Sequence, residues 1–245
     1  MKLTILGCYG PYPPSGGCCS GYLLQEKDCS VLLDCGNGVL SRLQEYIDYR
    51  KLNAIILSHL HADHVSDIMI MRYGLEMSYN AGLRHEPLPL YAPADPAFEF
   101  ERLSYKNAYT VSSIDCGDTL QVGPFTMQFR KGVHAVTSLA MRIQSLSGTL
   151  VYSSDTENNS SLLEFASNAD LFLCEANYHE EDINNNLPNH LSAGQAAQIA
   201  SAAGVKRLFL THHHPERDLQ VSLSEAGKFF PQVELARERL IVDIY

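Results

Sequence analysis

The sequence predicts an α/β protein in which two β-sheets pack face to face and helices cover the outer surfaces. Apolar, partly β-branched runs of strand length recur in both halves of the chain, and in each half they are followed by segments with helical spacing of apolar residues. Neither a linker nor an internal repeat separates the halves. We therefore expect residues 1–245 to form one domain, a length sufficient for a sizeable core.

The elements follow one another in the same manner in both halves. The predicted strands are Lys2–Leu6, Gly21–Gln25, Ser30–Asp34, Asn53–Leu57, Pro87–Tyr91, Thr119–Val122, Phe125–Arg130, Leu139–Gln144, Leu150–Ser153, Ala169–Cys174, Leu208–Thr211 and Leu240–Ile244. The predicted helices are Gly38–Ile47, Val65–Met77, Ser161–Ser167 and Ser192–Ala203, the last with Ser192 as a capping residue.

The most informative feature is the run Ser-His-Leu-His-Ala-Asp-His at residues 58–64. Imidazole is the commonest side-chain metal ligand, and a carboxylate beside it suits Zn²⁺ or another divalent ion. The run lies between a buried strand and a helix. Residues i and i+2 of an extended segment point the same way, so His59 and His61 can share one ion, while Asp63 and His64 can face a second.

Three further positions carry metal-ligand chemistry at predicted strand ends, namely His134, Asp155 and His212. A single His or Asp at a strand end is more often a solvated surface group. A closed metal site, however, requires ligands from elsewhere in the chain, so the run at residues 58–64 makes the metal interpretation stronger for all three.

In these residues the chain resembles metallo-β-lactamase-fold hydrolases and, within them, the ribonuclease Z-like branch. The similarity spans nearly the whole chain. It is carried by the run at residues 58–64, His134, Ser153-Ser-Asp-Thr156, Asn189-His-Leu-Ser-Ala-Gly-Gln-Ala-Ala197, Leu210-Thr-His212, and the opening Leu6-Gly-Cys-Tyr-Gly10 with Ser20 and Tyr22-Leu-Leu24. The resemblance implies a four-layer αβ/βα sandwich with the site between the sheets.

The resemblance also implies two divalent metal ions, with Zn²⁺ expected first and Mn²⁺ also suited to such ligands. The implied ligands are His59, His61 and His134 for one ion, Asp63, His64 and His212 for the other, and Asp155 between them. An Asp at position 155 argues against the secreted lactamases, which use Cys there. His61 in place of Glu argues against the oxygen-reducing diiron relatives.

The implied catalytic residues are Asp63, His190 and Glu175. Asp63 would orient a hydroxide shared by the two ions, and His190 would stabilise the phosphate oxygens or protonate the leaving oxygen. Glu175, in Cys174-Glu-Ala-Asn177, would orient His190, although a solvated strand-end charge is the alternative. His85, His179, His213 and His214 lack comparable support.

One departure from the tRNA-processing members bears on the substrate. Those members insert a long arm between the positions of His134 and Asp155, which here are only 21 residues apart. The formal charge of −10 also disfavours a long polyanion. We therefore expect hydrolysis of a small phosphodiester, such as a cyclic nucleotide or cyclic phosphosugar, with long nucleic acid an unlikely partner. The alternatives are a tRNA 3′ endoribonuclease, a thioester or lactam hydrolase, and a non-catalytic metal-stabilised binding module.

The remaining expectations concern the surroundings of the protein. The first residues predict a strand and not a signal peptide, and no run has the roughly 18 apolar residues of a membrane span. Seven Cys without zinc-ribbon spacing indicate reduced thiols, so we expect a cytoplasmic protein. The apolar face of Ile68–Met77 would either be buried in the core or form a contact between two subunits, and the family resemblance favours a homodimer. The segment 179–189 would be a gate over the site or a solvated turn.

Overall fold

The structure is a computed structural model that describes all 245 residues. The strands are β1 Lys2–Gly7, β2 Gly21–Glu26, β3 Cys29–Leu33, β4 Ala54–Ile56, β5 Leu88–Ala92, β6 Tyr109–Ser113, β7 Thr119–Val122, β8 Phe125–Lys131, β9 Leu139–Ser145, β10 Gly148–Tyr152, β11 Leu171–Glu175, β12 Leu208–Thr211, β13 Glu234–Leu235 and β14 Ile241–Asp243. The helices are α1 Val39–Leu43, α2 Ala62–Val65, α3 Ile68–Asn80, α4 Ala97–Glu101, α5 Ser160–Ala166, α6 Glu180–Asn184, α7 Ala193–Ala202 and α8 Leu219–Gly227.

The strands form two seven-stranded mixed sheets. The first has the order β14-β1-β2-β3-β4-β5-β6 and the second β13-β12-β11-β10-β9-β8-β7. In the first sheet, strands β3 to β6 run parallel to their neighbours, and in the second sheet the same holds for β10 to β13. The carboxyl ends of parallel strands meet at one edge, where α/β proteins usually bind ligands.

Three apolar cores separate the layers. Leu3 and Ile5 face the core between the sheets, whereas Leu6 faces the core beneath the first helical layer. The third core lies between the second sheet and the helices α5 and α7, with Phe172 at its centre. Because both faces of the central strands are covered, these strands are apolar at nearly every position. The predicted four-layer αβ/βα sandwich is confirmed.

Several element predictions differ from the structure. The first helix ends at Leu43 and not at Ile47, and the predicted helix Val65–Met77 is divided into α2 and α3. Five elements were missed: β6, β13, α4, α6 and α8. β13 has only two residues and α6 is mainly acidic, so neither carries an apolar period long enough to be detected.

The helix α3 has apolar residues on two faces. Ile68, Met71 and Leu75 are buried in the core beneath the first helical layer, as one interpretation of this segment predicted. Ile70, Tyr73 and Met77 are exposed. A homodimer through this face stays a prediction. No helix in the structure combines the length and apolar character that a bilayer crossing demands.

Candidate metal centre

All seven predicted ligands lie at the ends of strands from both sheets and come together in two adjoining clusters. The first cluster contains His59, His61 and His134, and the second contains Asp63, His64, Asp155 and His212. His61 is the N-cap of α2, which follows β4 after the short segment 57–61 and places Asp63 and His64 in its only turn. The sequence pattern therefore identified residues that lie up to 153 positions apart in the sequence and that the fold brings together.

The first cluster has the spacing of a metal site. His59 Nε2 lies 3.2 Å from His61 Nδ1, and His134 Nε2 lies 3.1 Å from the same atom. Donor atoms that are each about 2.0–2.1 Å from a tetrahedral zinc ion lie about 3.3 Å from one another. These two separations are those expected between ligands of one divalent ion.

The second cluster pairs imidazoles with carboxylates. His212 Nε2 is 3.2 Å from Asp63 Oδ2 and 3.2 Å from Asp155 Oδ2, and His64 Nε2 is 3.4 Å from Asp155 Oδ1. His64 Nε2 and Asp155 Oδ1 are buried and make no hydrogen bond. Since buried polar atoms are rarely left without a partner, these two atoms fit ligands of a cation.

Hydrogen bonds on the outer side of the rings set the tautomers. His64 Nδ1 donates to Asp34 Oδ2 at 2.8 Å, and His134 Nδ1 donates to the backbone oxygen of Asn189 at 3.0 Å. In a neutral imidazole the other nitrogen then carries the lone pair. Neutral rings held in this way present an unprotonated Nε2 to the centre, which is the arrangement that metal-binding histidines use. At His64 a bound cation would take the place of the proton that the nearby carboxylates favour.

Asp34 is the important residue that the sequence interpretation missed. Its carboxylate is fully buried and accepts hydrogen bonds from Ser58 N at 2.7 Å, Ser58 Oγ at 2.8 Å and Tyr152 Oη at 2.8 Å, in addition to His64. The sequence did contain a signal for Asp34. This residue directly follows the apolar strand β3, and β3 lies next to β4, the strand that precedes the run at residues 58–64. Its partner Tyr152, however, is 118 residues away.

The electrostatics differ between the clusters. Burial lowers the pKa of His59, His61 and His134, so these rings are neutral and free to coordinate. Burial would also lower the pKa of His64, but the carboxylates of Asp155, Asp34 and Asp63 outweigh it and raise that pKa well above its usual value. The second cluster therefore stabilises positive charge at this position.

The backbone packs closely against two of the predicted ligands, His212 and Asp63. A Cβ on Gly10 would lie 1.9 Å from His212 Nε2, and a Cβ on Gly36 would lie 1.9 Å from the backbone oxygen of Asp63. Asp34, Ser154 and His212 have φ values of 55°, 54° and 54°, in the left-handed region. Such strained residues concentrate at functional sites.

His190 lies against the ligands. Its ring stacks on that of His212 at a centroid distance of 5.3 Å and contacts that of His134 at 5.4 Å. His190 Nδ1 is 3.1 Å from Glu175 Oε1, which also accepts from Thr156 N at 2.7 Å. Burial lowers the pKa of His190, but Glu175 outweighs this and raises it to about 9. Glu175 is fully buried, which rules out a solvated charge.

The other histidines lie outside the clusters. His213 is buried, its Nε2 donates to the backbone oxygen of Ala236 at 3.0 Å, and burial lowers its pKa to about 4. His214 contacts the ring of Tyr12, and His179 is 3.2 Å from Ser222 Oγ. None of these three, nor His85, belongs to a group that could hold a metal ion.

Comparison with known proteins agrees with this geometry. Residues 30–213 match the family model of the beta-lactamase superfamily domain. The chain belongs to the beta-lactamase superfamily. A similar protein is the probable metallo-hydrolase YhfI of Bacillus subtilis. The two sequences are 38% identical over 212 aligned residues, which cover 86% of each chain. The chain superimposes on the crystal structure of YhfI with a TM-score of 0.95 at 35% identity, over 99% of this chain and 98% of that one.

More distant similarities extend to the branch that the sequence resembles. This superfamily member is 27% identical to a ribonuclease Z of Bacteroides fragilis over 302 residues, covering 100% of this chain and 99% of the other. A diphosphatase from the PhnP family shares the fold, with a TM-score of 0.79 at 18% identity over 100% of this chain and 98% of that one. The predicted metallo-β-lactamase fold and the ribonuclease Z-like resemblance are confirmed.

The first prediction concerns Asp155, whose two oxygens face both clusters. In Asp155→Ala we expect the metal content to fall below two ions per chain, and hydrolytic activity to be lost with it, because no other carboxylate contacts both clusters. Metal analysis after gel filtration measures the stoichiometry. Asp115→Ala, which removes an exposed carboxylate, is the control. A variant that retains two tightly bound ions would contradict this assignment.

The second prediction concerns Asp34. In Asp34→Asn one acceptor oxygen becomes a donor that faces Tyr152 or His64, so His64 loses its orientation. We expect the affinity for Zn²⁺ to fall by about 10–100-fold, as is usual for partners that orient metal ligands. Competition with a chromogenic chelator measures the affinity, and Asp28→Asn in an exposed turn is the control. Tyr152→Phe, which removes one donor only, tests the network if Asp34→Asn does not fold. Unchanged affinity in both variants would refute the role.

Proposed function

We propose that this protein is a binuclear metal-dependent hydrolase, with Zn²⁺ as the first candidate metal, that cleaves a phosphodiester bond in a small substrate. The position of Asp155 carries this proposal. Its Oδ2 lies 3.2 Å from His212 Nε2 of one cluster and 3.8 Å from His59 Nε2 of the other. When bound, two divalent ions supply Lewis acidity and a water with a lowered pKa.

The side chains around the clusters have distinct roles in this proposal. Asp63 is the most exposed carboxylate of the ligand set, at 10% of its side-chain surface, so it can orient an attacking water while it coordinates. His190 directs Nδ1 to Glu175 and has Nε2 available to donate a proton to the leaving oxygen. Because cations beside His190 would lower its pKa from about 9 toward neutrality, the ring would then suit general acid catalysis.

The chain between His134 and Asp155 supports a small substrate. Strands β9 and β10 form a direct hairpin in which Ser145 pairs with Gly148, so no arm extends from this edge. The alignment with ribonuclease Z covers 302 residues although this chain has 245, so that enzyme carries segments that are missing here. The formal net charge of the chain is −10, so the protein would repel a long polyanion such as RNA more strongly than a small anion.

Reaction at phosphorus is supported by the ribonuclease Z relative, whose name denotes cleavage of RNA. A thioesterase or lactamase would use nearly the same ligands, so metal content does not separate these activities. Turnover of defined substrates separates them.

The deciding experiment is the measurement of kcat/KM for the metal-loaded protein on 2′,3′- and 3′,5′-cyclic nucleotides and, in parallel, on a precursor tRNA. We expect turnover of a cyclic diester and no cleavage of the tRNA, because the chain has no arm to hold it. Cleavage of the tRNA would overturn the small-substrate proposal. Hydrolysis of S-lactoylglutathione without turnover of any phosphodiester would assign the site to thioesters.

The role of His190 gives a separate prediction. His190→Ala should retain both metal ions and lower kcat by about 10²–10⁴-fold, the usual contribution of a positioned general acid. Steady-state kinetics and metal analysis of the same sample make the test, and His85→Ala is the control. If kcat is unchanged in His190→Ala, another group protonates the leaving oxygen.

A further inference from the structure

Beside His190 the structure has a second feature that the metal centre does not use. A cavity of about 260 Å³ is lined by eight residues, among them His190, Glu157, Asn158, Asn186 and Gln195. We propose that this cavity binds the uncharged, hydrogen-bonding ring of the leaving group, namely the base of a nucleoside. This inference rests on the proposed phosphodiesterase function and names the part of the substrate that determines specificity.

The position of the cavity relates it to the leaving group. His190 contacts the ligands His134 and His212 with its ring and also lines the cavity. A phosphorus atom held at the two clusters would therefore lie next to His190 and to the cavity that His190 also lines. If His190 protonates the leaving oxygen, the group attached to that oxygen must lie next to His190, and this is where the cavity is.

The chemistry of the lining favours an uncharged ligand. The one cationic side chain of the lining is His190, which is paired with Glu175, and the one carboxylate, Glu157, would repel a phosphate. The amides of Asn158 and Asn186 make no side-chain hydrogen bond within the protein. Gln195 uses Oε1 to accept from Ser192 N at 3.1 Å, which leaves Nε2 as a donor. Amides that are both donors and acceptors match the edges of nucleobases.

The apolar part of the lining suits a flat ring. Ile183, Leu187 and Pro188 complete the cavity wall and offer contact to the faces of a ring. Small-molecule pockets commonly have volumes of about 300–1,000 Å³, so a cavity of this size admits one ring system and not a stack of bases. This limit agrees with a mononucleotide-sized substrate.

The wall is held in place by contacts at three points of the segment 179–189. Asp182 Oδ1 accepts from Arg217 Nη2 at 2.8 Å. Pro188 O accepts from Tyr178 Oη at 2.9 Å, and Asn189 N donates to Glu157 Oε1 at 2.9 Å. These contacts hold the segment against the rest of the fold as part of the cavity wall, and a wall that is already ordered lowers the entropy cost of binding.

The test compares two substrates in a double variant, Asn158→Ala with Asn186→Gly. Glycine at position 186 removes the amide without backbone strain, because Asn186 has a φ of 55°. The substrates are 2′,3′-cyclic AMP and bis(p-nitrophenyl) phosphate, whose leaving group has no hydrogen-bond donor. We expect kcat/KM for the cyclic nucleotide to fall about tenfold or more and that for the nitrophenyl ester to change little. Asn184→Ala, in the same segment but outside the cavity, should leave both unchanged.

A binding measurement separates this inference from the proposed function. Saturation-transfer NMR of the metal-free protein with adenosine should give a signal in the wild type and in Asn184→Ala, and a weaker one in the double variant. If no phosphodiester is hydrolysed but this pattern is seen, the cavity assignment stands and the proposed reaction fails. Equal losses on both substrates, an unchanged ratio of kcat/KM values, or no adenosine signal in the wild type would overturn the inference.

Discussion

The carboxylate of Asp34 is the interaction on which the rest of the centre depends. It has no access to water and accepts from Ser58 at the end of β4, from Tyr152 of the second sheet and from the ligand His64. A buried carboxylate without partners is strongly unfavourable, so these donors must converge on it. The same carboxylate thus fixes the contact between the two sheets and the direction in which His64 presents its free nitrogen.

The two clusters would impose different properties on a bound cation. The first offers three imidazoles that burial keeps neutral, with only the shared Asp155 to compensate positive charge. In the second cluster, Asp63 and Asp155 would contact the cation themselves. Asp34 contacts His64 Nδ1, on the far side of that ring from the cluster. The charge of a bound cation would therefore be compensated less in the first cluster, which would favour Lewis-acid character there, and more in the second, which would favour retention of the cation.

The residues of the two clusters could be predicted from the sequence because the run at residues 58–64 is rare and because the family resemblance selects His134, Asp155 and His212, which also follow apolar strands. Asp155 and His212 are isolated in sequence, yet their positions after β10 and β12 match that of His59 after β4. Asp34 occupies the same kind of position but was missed, because its importance arises from Tyr152 and becomes visible only when the sheets pack. The short, acidic α6 was missed for a related reason, since tertiary contacts such as Asp182 with Arg217 hold it and an apolar period does not.

Precision at the centre is connected to the burial of the sheets. Asp34, Ser154 and His212 lie at or just beyond strand ends and have left-handed backbone conformations, which turn the chain sharply at the metal centre. Each such conformation costs on the order of 1–3 kcal/mol and persists only where the surroundings determine it. The last three residues of each of the strands β3, β10 and β12 are buried, so the core on both faces holds these ends in place. The apolar layers therefore do more than stabilise the fold, because they maintain the strained geometry in which the ligands converge.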